Sequence, residues 1–214
     1  MNFQQIYDVS LPISDKLAVW PGDPAVDIQA ASEMSKGAVA NVSRLIMGAH
    51  TGTHMDAPHH FIDGSQGIDQ SPPSVLVGTA QVVELEIDHH IGAKDLEELN
   101  LPAGTERIVF KTRNSAYWVN DPNTFHRDFI AVAKDGAEWL VAHGFKLVGV
   151  DYLSVEQFDA PDEHPVHKIL LGANIVVVEG MNLSEIEPGE YTIMALPLKI
   201  KNGDGAPARV LLAK

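Results

Sequence analysis

Four histidines and one aspartate lie within twelve residues of the chain, His50 to Phe61, in the segment HTGTHMDAPHHF. The whole chain of 214 residues contains 10 histidines, so this local density is unlike a random scatter. Imidazole nitrogens and carboxylate oxygens are donors that bind divalent ions such as zinc or manganese. The chain has no cysteine, so thiolate ligands are excluded and a metal must be held by His, Asp or Glu. The segment therefore predicts a metal site.

The spacing within this segment decides which side chains can share one ion. In an extended strand, His54 and Asp56 lie on one face about 6.6 Å apart at Cα, close enough to hold the same ion. His50 lies about 13 Å from His54 in a straight strand, which is too far. A helix would bring them together, but Thr51-Gly52-Thr53 is a poor helix former. We therefore expect a bend at Gly52, whose backbone can adopt angles closed to other residues.

His50, His54 and Asp56 are thus predicted metal ligands. Two His and one Asp leave positions open for water and substrate, which suits a catalytic site better than a structural one. His60 follows on the same side of the segment, and we predict that it is the catalytic general base and acid for an attacking water. The alternative is a loop whose histidines cap turns or lie on the surface.

The same segment resembles the signature of the cyclase family of metal-dependent hydrolases, broadly H-x-G-T-H-x-D-x-P-x-H-F, which includes bacterial kynurenine formamidases and isatin hydrolases. Similar segments extend over nearly the whole chain, namely DVSLPIS, VWPGD, LVGVDYLSVE and HPVHKILLG followed by VEG. The resemblance assigns the first three donors to metal binding and His60 to acid/base catalysis. It also implies a second metal, held by a later His and by a Glu twelve residues on, with the Asp bridging. His167 and Glu179 have this separation.

Three of these later residues have alternative interpretations. Glu179 ends the apolar run IVVVE, and the residues alone favour a strand that leaves the core there. His164 competes with His167 as the donor. Trp20 precedes a Pro-Gly turn and resembles the aromatic residue that lines the substrate pocket in formamidases, where an indole can stack on a planar ring. On the sequence alone, Trp20 is equally consistent with a core-packing residue.

Apolar patterns predict the elements that must position these residues. The predicted strands are 5–13, 39–47, 79–87, 107–112, 146–153, 173–179, 191–200 and 208–213, and the predicted helices are 93–99 and 134–143. A loop is predicted over 65–74, where Pro72-Pro73 disfavours regular structure. This order predicts one domain over residues 1–214 with an α/β fold, a mixed sheet curled towards a barrel with helices packed outside.

The totals narrow the partners of the chain. Its 15 Lys and Arg against 29 Asp and Glu give a net charge of -14, which disfavours nucleic acid. No stretch approaches the roughly 18 apolar residues of a membrane span, and the start, MNFQQIYDVSLPIS, lacks a secretory signal pattern. With no cysteine, a reducing cytoplasmic location is expected. The resemblance implies a homodimer or higher homo-oligomer, whose pocket a neighbouring subunit can complete.

We therefore expect a metal-dependent hydrolase that cleaves an amide C–N bond with one or two zinc or manganese ions per chain. The expected substrate is a small aryl amide, an N-formyl arylamine such as N-formylkynurenine, which releases formate. A second hypothesis is an enzyme that opens a cyclic amide, as isatin hydrolases do, because Asp151-Tyr152-Leu153-Ser154 and the longer segment 155–167 depart from the formamidase pattern. The sequence is also consistent with a non-catalytic metal-binding or small-molecule-binding module and with a cyclisation or dehydration enzyme.

Overall fold

The computed structural model describes residues 3–160 and 164–214; residues 161–163, within the long segment 155–167, lie outside the described part. Its strands are β1 (Ile6–Asp8), β2 (Asp27–Ser32), β3 (Val42–Ile46), β4 (His54–Asp56), β5 (Val77–Glu84), β6 (Arg107–Lys111), β7 (Leu147–Val150), β8 (Val176–Glu179), β9 (Gly189–Pro197) and β10 (Gly205–Ala213). Its α-helices are α1 (Pro73–Leu76), α2 (Ala93–Glu97), α3 (Ser115–Asn120), α4 (Lys134–Ala142) and α5 (Pro165–Gly172). Single 3₁₀ turns are formed by Met34–Lys36, Pro58–His60 and Ile68–Gln70.

Seven strands close into a barrel in the order β10-β4-β8-β7-β6-β5-β9, and β9 pairs again with β10. The strands β5 to β8 run parallel to one another, while β4, β9 and β10 pair antiparallel with their neighbours. The short strand β1 adds to the C-terminal part of β10. This architecture confirms the predicted mixed sheet curled towards a barrel.

The central parallel strands are buried on both faces. In β7, Leu147 packs in the barrel interior while Val148 packs on the outer face, and in β8 the same alternation places Val178 inside and Val177 outside. The outer face is covered by α2, α4 and α5, with Leu140 of α4 fully buried there. Burial on both faces explains why these strands are continuous apolar runs in the sequence.

A third cluster of apolar residues consists mostly of aromatic rings and lies beside the barrel. Its buried members include Trp118, Phe129 and Tyr152, and the partly buried rings of Trp20, Phe125 and Phe158 pack against them. This cluster fixes the turn that carries Trp20.

The structure corrects several predicted elements. The loop prediction for 65–74 is wrong at its end, because α1 starts at Pro73; proline lacks only an N–H that the first turn of a helix leaves unpaired. The helices α3 and α5 are absent from the prediction, and α5 also starts at a proline. The predicted strands 5–13 and 146–153 are shorter, ending at Asp8 and Val150.

A β-hairpin projects from the barrel, and its first strand was not predicted. Within residues 3–160 and 164–214, β2 pairs only with β3, and no residue from 27 to 46 is buried. Because β2 is exposed, its sequence DIQAAS does not need the regular alternation of apolar residues by which a buried strand is recognised. The helices in the described part of the chain do not have the length and hydrophobicity of a membrane span.

Candidate active site

The histidine-rich segment bends at Gly52, as the strand geometry predicts. Gly52 has φ of 63°, and the following β4 is extended. Gly180 packs against the bend with φ of 70°, and a Cβ at Gly180 would lie 2.3 Å from the Gly52 carbonyl oxygen. The bend brings the rings of His50 and His54 to a centroid distance of 5.1 Å. Two glycines are thus required for this backbone path.

Three of the predicted ligands lie on the outer face of the barrel. Met55 packs in the barrel interior, so the alternation along β4 directs His54 and Asp56 outward. Glu179 of β8 is the register partner of His54, which places it directly opposite. The His54 Nε2 atom lies 3.1 Å from Glu179 Oε2 and 3.6 Å from Asp56 Oδ1.

The remaining two predicted ligands approach from outside this face. His167, in the first turn of α5, places Nε2 3.6 Å from Asp56 Oδ2 and 3.4 Å from Glu179 Oε1. His50 donates from Nδ1 to Asp56 Oδ1 at 2.8 Å. Asp56 therefore lies within 4 Å of His50, His54 and His167. Glu179 lies within 4 Å of His54 and His167.

Hydrogen bonds fix how two of these imidazoles point. His54 donates from Nδ1 to the Gly52 carbonyl oxygen at 2.9 Å, and His167 donates from Nδ1 to Glu156 Oε2 at 2.7 Å. A carbonyl oxygen can only accept, so Nδ1 of His54 carries the proton and its Nε2 offers a lone pair. A histidine held by a carboxylate in this way is the usual arrangement behind a metal ligand.

The residues present fit a divalent cation. Asp56 Oδ2 is buried and has no hydrogen-bond partner, so the site contains an orphaned carboxylate oxygen that a cation would satisfy. Burial opposes the charged form of His50, but the neighbouring Asp56 and Asp204 raise its pKa to about 9. Burial acts the same way on His167, and Glu156 and Glu179 raise its pKa to about 10. The surrounding carboxylates therefore favour a positive charge at this site. Its donor atoms are nitrogen and oxygen, which bind divalent metal ions.

His60 lies next to His50 and Asp56, and one donor atom from each of the three lies within 4.8 Å of the others. Its ring stacks on the His50 ring at a centroid distance of 3.9 Å and an interplanar angle of 21°. Burial lowers the pKa of His60 to about 4; the charge of Asp56 opposes this shift, and the positive charges of His50 and His167 add to it. His60 is therefore a neutral imidazole at pH 7 and can accept a proton.

A cavity of about 490 Å³ opens onto these groups. It is lined by Trp20, Asp23, Pro24, Gly48, Ala49, His50, His54, His60, Phe61, Leu153, Ser154, Gln157, His164, His167, Glu179 and Asp204. The Trp20 ring packs on Phe125 and Phe158 at centroid distances of 5.2 and 5.0 Å. It also lines the cavity, so packing and a place in the cavity wall are both found at this residue. The volume is that of a small-molecule site.

Two supporting residues were missed by the sequence reasoning. Glu156 holds His167, and Asp204 Oδ2 accepts from His50 Nε2 at 2.9 Å. Glu156 lies eleven residues before His167 in a segment without regular spacing, so no sequence signal distinguishes it. Asp204 precedes Gly205, where a Cβ would lie 2.5 Å from His50 Cε1; the Asp-Gly pair was the available signal.

The competing donor His164 stands one step further out. It has φ of 55° at the start of α5, and its Nδ1 lies 3.6 Å from Glu156 Oε2. It lines the cavity and forms a group of possible metal donors with Glu156 and His167. Among the described residues, the groups that contain Asp56 or Glu179 do not include His164. The geometry thus favours His167 over His164 as the donor.

Comparison with known proteins identifies the family of this chain. The family model described as "Cyclase: Putative cyclase" matches residues 7–157. "Cyclase-like protein 3" of Oryza sativa subsp. japonica is 36% identical over 98% of this chain and 80% of its own length. "Kynurenine formamidase" of Bacillus thuringiensis is 31% identical over 99% of both chains.

A solved structure titled "The Structure Of Potential Metal-Dependent Hydrolase With Cyclase Activity" superposes with a TM-score of 0.83. It is 34% identical and covers 98% of this chain and 97% of its own. These matches confirm the resemblance predicted from HTGTHMDAPHHF and from the segments that follow it. The chain belongs to the cyclase family of metal-dependent hydrolases.

Proposed function

We propose that this chain is a metal-dependent amidohydrolase that releases formate from N-formyl arylamines such as N-formylkynurenine. One observation carries the proposal, namely that the unpartnered Asp56 belongs to two groups of donors that could each hold a cation. The first group contains His54 and Glu179, and the second contains His50 and the neutral His60. A relative matched over 99% of both chains is named a kynurenine formamidase, which supports the reaction class and the substrate.

We assign a divalent ion, zinc or manganese, to His50, His54 and Asp56. His167 and Glu179 are assigned to a second ion, with Asp56 between the two sets, so each chain holds one or two ions. When bound, such an ion lowers the pKa of a water molecule and polarises a carbonyl oxygen. Glu156 and the Gly52 carbonyl hold the imidazoles of His167 and His54, so that their Nε2 atoms stay oriented.

His60 moves the proton in this proposal. Its neutral imidazole accepts a proton from the attacking water and then donates it to the departing nitrogen as the amide C–N bond breaks. The low pKa of His60, caused first by burial, makes its imidazolium a strong acid for the second step. The ring is held for this purpose by its stack on His50.

The cavity wall suits an aryl group. Trp20 and Phe61 line the same cavity as four of the predicted metal ligands. A planar ring stacked there would share the cavity with His60. An arylamine is a weakly basic leaving group, so one general acid is sufficient.

Assays with two substrates test the proposal. We expect the purified enzyme to release formate from N-formylkynurenine, and to act more slowly on the cyclic amide isatin. Ring opening of isatin without formamidase activity would overturn our substrate assignment in favour of cyclic amide hydrolysis. Bound metal with no turnover of either substrate would favour the non-catalytic module.

We further propose that the chain forms a homodimer through the hairpin of β2 and β3. Ile28 and Leu45 are exposed register partners on one face of this hairpin. A lone two-stranded hairpin is marginally stable in water, so these side chains need a partner surface. The formal charge of residues 27–46 is zero in a chain of net charge -14, because they carry two acidic and two basic residues, Asp27, Glu33, Lys36 and Arg44. Two hairpins can therefore meet without local repulsion. We also propose a cytoplasmic location, because a chain without cysteine suits a reducing compartment.

A further inference from the structure

We propose that Phe61 is a positioning residue, whose ring holds the His167 imidazole in the orientation that metal binding requires. The two rings lie nearly face to face, at a centroid distance of 4.3 Å and an interplanar angle of 23°. His167 is assigned to an ion in the proposed function, so the inference rests on that function. Phe61 thus has a role beyond its place in the cavity wall.

A hydrogen bond alone does not fix where the His167 ring points. Its Nδ1 donates to Glu156 Oε2 at 2.7 Å, which fixes the position of that atom. The ring can still turn about the N–H···O direction, because such a turn changes neither the length nor the angle of the bond. The turn would move Nε2, which lies 3.6 Å from Asp56 Oδ2 and 3.4 Å from Glu179 Oε1. A second contact, on the flat face of the imidazole, restrains this rotation.

The Phe61 ring provides that second contact. An aromatic pair is stabilised by its geometry beyond the apolar area that it buries, so the relative angle of the two planes matters. If the His167 ring turned about its bond to Glu156, its plane would leave the stacked arrangement and lose this stabilisation. The stack and the hydrogen bond therefore act together, one on the ring plane and the other on Nδ1.

Phe61 can restrain His167 because its own position is fixed. Its backbone N–H bonds to the Pro58 carbonyl oxygen at 3.3 Å, at the end of a 3₁₀ turn. Its ring packs against the apolar cluster on the outer face of the barrel, to which α5 contributes. The ring also meets the His60 ring edge to face, at a centroid distance of 4.3 Å and an angle of 68°. Phe61 thus joins the turn that carries His60 to the helix that carries His167.

Zinc binding in the absence of substrate tests the inference. The affinity is measured by titration of the metal-stripped protein against a zinc-binding dye. The ion that depends on His167 is identified as the one lost in H167Q, whose amide can still donate to Glu156. F61L keeps an apolar side chain but has no planar face, and we expect it to bind this ion about three- to tenfold more weakly than the wild type. F61Y keeps the face and should retain the wild-type affinity.

A matched control separates the stack from a general loss of aromatic packing. F158L makes the same change in a partly buried ring that packs on Trp20 and Phe125, and should leave the zinc affinity unchanged. F61M replaces F61L if the leucine variant does not fold, because methionine adapts to irregular space and also lacks a ring. Wild-type affinity in the ringless variants, an equal loss in F61Y, or the same loss in F158L would overturn the inference.

Activity separates the positioning role from a contact with substrate. The zinc concentration that gives half-maximal formate release should rise in F61L by the same factor as the dissociation constant of the ion. An increase in KM at saturating zinc, with an unchanged dependence on zinc, would assign Phe61 to substrate binding alone and overturn the inference.

Two outcomes distinguish the inference from the proposed function. If the wild type binds the ion that depends on His167 but releases no formate, the function fails, and the dye titrations of F61L and F61Y still decide on Phe61. If H167Q loses no ion, the inference fails, whereas the function can stand on the ion assigned to His50, His54 and Asp56.

Discussion

His59 and His60 are neighbours in the chain with opposite surroundings. His59 is exposed, whereas the His60 ring stacks on His50 and lines the cavity. H60A should leave the metal content unchanged and lower kcat by about 10²- to 10⁴-fold, because a general base and acid is lost. H59A is the matched control and should retain activity. Metal analysis together with formate release measures both effects, and undiminished turnover in H60A would refute the assigned role.

A glycine of β10 sets the position of another histidine. A Cβ at Gly205 would lie 2.5 Å from His50 Cε1 and 2.8 Å from the Met55 carbonyl oxygen, too close for either to remain in place. G205A should therefore displace His50, with loss of bound metal and at least about tenfold lower activity in a folded protein. G172A in α5 adds a methyl group whose nearest neighbour is 3.7 Å away and should preserve both properties. Full metal content in G205A would contradict this account.

At the scale of elements, a buried carboxylate joins the end of β7 to the start of α3. Asp151 accepts from the backbone N–H groups of Thr112 and Ser115 at 2.7 and 3.1 Å, and from their hydroxyls at 2.9 and 2.8 Å. Burial raises the pKa of Asp151 to about 6, although these four donors oppose the shift. The position of α3 thus depends on a carboxylate that is more readily protonated than usual.

This raised pKa gives a definite pH dependence of stability. The pKa of an unfolded Asp is about 3.9, so between about pH 4 and 6 the folded chain binds more protons at Asp151 than the unfolded chain does. The contribution of Asp151 to the free energy of unfolding should therefore fall as pH rises through this window, by up to about 3 kcal/mol. The free energy of unfolding is measured in urea for the wild type and for D151N across this pH window. The difference between the two isolates the contribution of Asp151. A difference that rises with pH would show that the pKa is lowered instead.

The elements also show where sequence reasoning succeeds. The strands β5, β6 and β10 and the helix α4 overlap the segments that the apolar patterns predict, because their apolar residues are buried in the barrel interior or on its outer face. The prediction lacks α5 because the histidines of its segment HPVHKILLG indicate ligand spacing, although the buried Val166 and Leu170 have helical spacing. The bend at Gly52 was predictable because a straight strand keeps His50 and His54 apart. The partners Glu156 and Asp204 were not, because they meet the ligands only through the fold.

At the scale of the whole molecule, the hairpin of β2 and β3 is the feature that the monomer leaves uncovered. I28K places a charge on the face shared with Leu45 and should weaken the dimer at least about tenfold. Q29K makes the same change on the opposite face, beside Arg44, and should leave the dimer intact. Light scattering with size-exclusion chromatography measures the mass. A wild-type monomer at micromolar concentration, or an unaffected dimer in I28K, would rule out this interface.

The central claim is that amide hydrolysis depends on a metal held by residues of β4, β8 and α5, which the barrel brings together. Metal dependence of the activity tests this claim most directly. The measurement is formate release from N-formylkynurenine by the chelator-stripped enzyme, before and after addition of zinc or manganese, with metal counted per chain. The account predicts no activity in the stripped enzyme, recovery at one or two ions per chain, and no recovery in H54A. Full activity of the metal-free enzyme, or full recovery in H54A, would contradict it.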